Sequence, residues 1–192
     1  MNDARSRGAA LVLTILAVFF LTSLAASLAL MTNTELRIAA SYSDAMELRY
    51  AAEAALEAIL QELTANADWN ALVAGTALST LADGSPVGRR TLGDGSMIDL
   101  DDLTRQVVMA NPTCRLFAFG PVQHLQPAEE LDVEGYVVVW IGDDPEENPA
   151  ILVLRAEAFG ASGMRRMLEA RVGRDTAGAV QVVAWNEVPV GS

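Results

Sequence analysis

Apolar residues fill a solid block near the start of this chain, then narrow to one side of a helix, then alternate along short strands. From Ala9 to Met31 there is no charge, no Pro and no Gly. As a helix, that block spans about 35 Å at 1.5 Å per residue. A bilayer core of about 30 Å needs roughly 20 residues, so the block is long enough to cross one. A segment apolar on every side needs lipid or a core all round it, and the rest of the chain looks too small and too polar to supply that core.

The helical pattern continues past Met31. Thr32, Asn33 and Thr34 mark the exit from lipid, and a sequence rich in Ala, Leu and Glu follows to Leu63. Ala45, Leu48, Ala52, Ala55, Leu56, Ile59, Leu60 and Leu63 recur at three- and four-residue steps and form one apolar stripe. Asp44, Glu47, Glu53, Glu57 and Glu62 fall mostly outside it. Such a stripe needs a cover, and a sheet from the rest of the chain is the natural one. Asp68, Trp69 and Asn70 should end the long helix. Between Thr64 and Asn111 the glycines punctuate a loop-rich stretch, with one short helix expected over Asp101 to Met109.

From Cys114 the pattern turns to strands. The candidates are Cys114–Phe119, Glu134–Ile141, Ile151–Phe159, Met164–Val172 and Val180–Val188, separated by Gly- and Pro-containing turns. Short connections favour antiparallel neighbours, and a sheet of roughly four strands is predicted to pack one face on the helical stripe. On Met164–Val172, Met164, Leu168, Ala170 and Val172 share the inner face with Arg166 as an exception. Arg165, Glu169 and Arg171 should point mostly to water. The pattern thus gives an α+β chain in four parts: a leader at 1–8, a transmembrane half-helix at 9–31, an amphipathic half-helix at 32–63, and a head at 64–192.

Arg5 and Arg7 precede the apolar block, which favours a cytoplasmic amino end and an extracytoplasmic head. Ala25, Ala26 and Ser27 offer a cut of the secretory-signal kind. The block is longer than a usual signal core and runs without a break into a polar helix, so a retained anchor is the preferred reading. Net charge is −12, which argues against nucleic acid as a partner.

Chemistry-bearing residues are sparse. Cys114 is the sole cysteine and excludes an intrachain disulfide; it reads as a small buried residue. His124 is the sole histidine, in a Pro-containing loop, with no second ligand at metal spacing. No nucleophile or phosphate-loop motif occurs, so the chain does not read as an enzyme and needs no cofactor. Asp143, Asp144 and Glu146 lie in an acidic turn that is a candidate calcium site outside any EF-hand pattern; a solvated turn is the simpler reading. Glu129, Glu130, Asp132 and Glu134 form a second acidic run, read the same way. Trp140 and Trp185 are expected in the core, with contact to a neighbouring subunit as the alternative.

The segment Arg-Ser-Arg-Gly-Ala-Ala-Leu-Val-Leu at 5–13 resembles the basic leader, cleavage glycine and apolar start of a type IV pilin precursor. Together with Ala-Ala-Glu-Ala-Ala-Leu at 51–56, the first third of the chain is similar to the PilX-type minor pilins. The resemblance implies a type IV pilin-like fold and cleavage after Gly8 by prepilin peptidase. It also implies N-methylation of Ala9, residence in the inner membrane, and passage into a pilus (fimbrium). Its implied partners are other minor and major pilins and the inner-membrane assembly machinery, with roles in pilus assembly and cell adhesion. Leu11, Leu13, Leu16, Phe19, Phe20, Leu24 and Leu28 would then pack in membrane and fibre; Leu48, Ala52, Leu56, Ile59 and Leu63 would hold helix to sheet. Major pilins usually carry Glu at the fifth mature position, where this chain has Leu13. Its loss implies a subunit at or near the fibre tip, with nothing above it to pair with. The rivals are a minor pseudopilin of type II secretion, resembling the K-type subunit, and a single-pass anchored binding domain with no fibre.

Overall fold

The first helix, α1, runs without interruption from Asp3 to Ala65 in this computed structural model. No Pro occurs before Pro86 to break it, and Gly8 is the sole glycine within it. The structure describes residues 3–192 except 67, 77, 126–134, 145–150, 176 and 190–192; for 3–10 and 162 the description is limited to the backbone. Two compact units result, Met1–Ser43 and Asp44–Ser192.

The second unit takes its frame from a five-stranded antiparallel sheet. After α1 come α2 (Trp69–Val73), the short strands β1 (Arg89–Thr91) and β2 (Met97–Asp99), and α3 (Leu100–Ala110). The sheet follows as β3 (Arg115–Pro121), β4 (Tyr136–Asp143), β5 (Ile151–Phe159), β6 (Arg165–Arg174) and β7 (Val180–Val188), ordered as in the chain. All five candidate strands therefore join one sheet, which corrects the expected four. The β1–β2 hairpin and α2 are further additions. Three-residue strands are too short to show alternation, which is why sequence pattern missed the hairpin.

One face of the sheet rests on α1. Leu48, Ala52, Ala55, Leu56, Ile59 and Leu63 are buried against Val137, Val139, Ile141, Leu154, Ala156, Leu168 and Ala170. Ala51 joins them, and Leu60 is partly buried at the margin. Alanine at three of the helix positions, Ala51, Ala52 and Ala55, removes side-chain bulk, so backbone and sheet approach closely. Gly160 serves the same contact: a Cβ there would lie 2.9 Å from Leu48 Cδ2.

The opposite face is also covered at the β3–β4 end. Leu100, Leu103 and Val107 of α3 pack with Phe119, Val138 and Trp140. Asp99 caps α3 by accepting from the amides of Asp101 and Asp102 at 3.0 and 3.3 Å. Trp140 is wholly buried, and its indole Nε1 donates to Thr104 Oγ1 at 3.1 Å. Covered on both faces, β4 reads as a continuous β-branched run rather than an alternating one.

The carboxyl end of α1 is closed by distant side chains. Trp69 Nε1 donates to the Leu63 carbonyl at 3.1 Å. Arg174 of β6 donates to the Asn66 carbonyl and lies 4.2 Å from the Trp69 ring centre. Glu62 accepts from Ser79 Oγ and from the Thr80 amide. Asp68, expected to help end the long helix, caps α2 by accepting from the amides of Asn70 and Ala71.

Candidate functional site

The feature that sets this chain apart is the bare surface of α1 within the first unit. Leu11, Leu13, Leu16, Phe19, Phe20, Leu24 and Leu28 are each 47–67% exposed. The segment is long and apolar enough to cross a membrane. Several of its hydroxyls turn inward to the helix: Thr22 donates to the Val18 and Phe19 carbonyls, Ser27 to Ser23, and Thr32 to Leu28. Side chains satisfied in this way do not seek water, so they are tolerated in hydrocarbon or between packed helices.

Apolar exposure extends further than sequence pattern indicated. Leu21, Leu24, Leu28, Met31, Ile38 and Tyr42 lie on one row of three- and four-residue steps, interrupted only by Glu35, and all are exposed. Tyr42 lies eight residues past Thr34, which is about 12 Å along the helix. Charges at Glu35 and Arg37 mask this continuation when the sequence is read by composition alone. Reading by helical row recovers it.

Gly8 and Ala9 lie in the helical backbone, and the side chain of Ala9 is outside the described residues. The helix-to-sheet set Leu48, Ala52, Leu56, Ile59 and Leu63 is brought together as one buried surface. Asp143 and Asp144 end up differently from a solvated turn. The Asp143 carbonyl accepts from Asn111 Nδ2 and Thr113 Oγ1, while the buried Asp144 carboxylate faces Arg171 at 3.8 Å. Glu146 and the acidic run Glu129, Glu130, Asp132 and Glu134 lie outside the described residues. Among the described residues, no group of three or more His, Cys, Asp or Glu side chains is placed to hold a metal ion.

His124 is exposed at the end of a short 3-10 turn. Cys114 is fully buried, and burial pushes its thiol up to about 11. Trp185, expected in the core, instead remains 38% exposed because β7 is the last strand of the sheet. Arg165 and Glu169 of β6, expected to face water, are half-buried in cross-strand pairs with residues of β5. Arg155 bonds Glu169 at 2.7 Å, and Arg165 lies 3.5 Å from Glu157. Glu157 itself is only 2% exposed, and burial raises its carboxyl to about 7 against the pull of Arg165. No alternation signal marks Glu157, which sits inside a strand that is buried along nearly its whole length.

No protein-family model, curated protein or solved structure matches the chain.

Proposed function

We propose that this chain is a minor pilin: a structural subunit that waits in the membrane on its apolar helix and then enters a type IV pilus. The observation that carries this reading is the exposed row ending at Ile38 and Tyr42, about a turn or two beyond what a bilayer covers. A plain anchor has no use for apolar side chains in water at that level. A helix that trades lipid for other helices does, because small and apolar side chains are what let helices pack closely.

The leader supports the same reading. Arg5 and Arg7 before an uncharged block favour a cytoplasmic amino end, and Gly8–Ala9 resembles the site that prepilin peptidase cuts. Leu13 supports a place at or near the tip, where the carboxylate of the usual Glu has no amino group above it to meet. A lone carboxylate in hydrocarbon is costly unless paired. The pseudopilin of type II secretion shares the Leu13 argument and is the second reading. The globular head then serves for recognition of neighbours and adhesion.

Gly8→Leu tests the processing step. The variant chain should stay full-length in the membrane and be lost from sheared surface fibres. Its presence in fibres at parental level would end the proposal. Restoring Glu at Leu13 should leave incorporation unchanged or lower it; a gain along the whole shaft would end the tip placement.

A further inference from the structure

The two edges of the sheet are treated differently. Along β3, the amides of Ser79 and Asp83 donate to the carbonyls of Phe117 and Phe119 at 2.9 and 2.8 Å. That edge is covered by the chain itself. At the other end, no described strand lies beyond β7. Its sequence, Val-Gln-Val-Val-Ala-Trp-Asn-Glu-Val, holds one charge, no Lys and no Pro. Gln181, Val182, Val183, Trp185, Asn186 and Glu187 are all exposed. Proteins normally blunt such an edge with Lys, Pro or a covering segment, because it templates pairing with another strand. A bulge leaves Val183 out of register, which disrupts the first part of the edge. After it, Ala184 to Val188 pair regularly with β6 and present a straight run.

We propose that the Ala184–Val188 edge accepts a sixth strand from a different polypeptide, one of net positive charge. The occupant follows from charge. Residues 44–192 hold 23 Asp and Glu against 10 Arg, a net of −13. A second copy set edge to edge would bring two such heads within the range where salt screens poorly, about 8 Å at physiological ionic strength. A basic strand gains from the same field. Trp185 supplies the apolar anchor and shares its face with Glu187, which already has Arg166 at 3.9 Å. Main-chain bonds then give affinity, and the side chain facing Trp185 gives selectivity. The inference stands whether or not the chain enters a fibre.

The full chain in detergent micelles, mixed with synthetic nine-residue peptides of alternating Val and Thr, tests this. Three versions carry flanking Arg, Gln or Glu, and a fourth is the Arg version N-methylated at alternate amides. Fluorescence anisotropy reads affinity, and hydrogen exchange reads the amides of residues 184–188. The Arg peptide should bind about tenfold or more tightly than the Glu peptide, weaken as salt rises, and protect those amides. N-methylation, or Trp185→Lys in the chain, should reduce binding by about tenfold or more. Equal affinity for all four peptides, protection elsewhere, or no binding at millimolar peptide would overturn the proposal. So would self-association of the chain through the β7 amides, which would assign the edge to a second copy.

Discussion

Replacing Glu157 by Gln removes one carboxylate from the middle of the sheet and should stabilise the head in a pH-dependent way. The side chain is 2% exposed, and its Oε1 has no hydrogen-bond partner. Arg165 reaches it at 3.5 Å, too far for a hydrogen-bonded pair, while Arg155 on the same strand is engaged by Glu169 at 2.7 Å. Burial therefore outweighs attraction, and the carboxyl rises from 4.5 to about 7. Below pH 4.5 the group is protonated in both folded and unfolded chains. Between 4.5 and 7 the folded chain holds a proton that the unfolded chain has released, so stability falls as pH rises through this window. The difference corresponds to about 3 kcal/mol once the pH is above 7. Urea unfolding of the full chain in detergent, followed by near-ultraviolet circular dichroism, reads it. The stability difference between Glu157→Gln and the parent should grow in favour of the variant by about 3 kcal/mol from pH 4.5 to 8. A difference that stays flat, or grows in the parent's favour, would refute the reasoning.

Other substitutions test the packing by the same unfolding measurement. Leu56→Ala empties a fully buried contact between α1 and the sheet and should cost about 3 kcal/mol. Gly142→Ala would set a Cβ 2.9 Å from the backbone of Cys114, and should cost about 2 kcal/mol through separation of β3 from β4. Arg174→Ala removes both the Asn66 carbonyl contact and the stack on Trp69; a loss of about 2 kcal/mol is expected, with faster hydrogen exchange at the end of α1. Cys114, buried with its thiol raised to about 11, should resist thiol reagents in the folded chain and react after denaturation.

How much of this was legible in the sequence follows from how each element is buried. The long helix declared itself because Ala9 to Met31 is apolar on every side and Leu48 to Leu63 on one. Ile151–Phe159 and Val180–Val188 fall at the predicted bounds because Gly- or Pro-containing stretches flank them in the sequence. The sheet was undercounted because joining a sheet depends on partners, which a strand's own residues do not specify. Arg165 and Glu169 of β6 look solvent-facing in the sequence because alternation reports polarity, and a cross-strand pair such as Arg155–Glu169 satisfies the same polarity without water. Trp185 was assigned to the core because aromatic content says nothing about position at a sheet edge. The exposed row to Tyr42 is hidden by Glu35, which interrupts it, and by Arg37, which lies off it and which helical phase sets aside.

Under the proposed function, the apolar helix is trimmed at its inner end and kept. Mass spectrometry of the amino terminus of the mature protein tests it most directly. A chain that begins at N-methylated Ala9 is expected. A mature chain that still begins at Met1, or one that begins after Ala25 with the apolar helix removed, would contradict it.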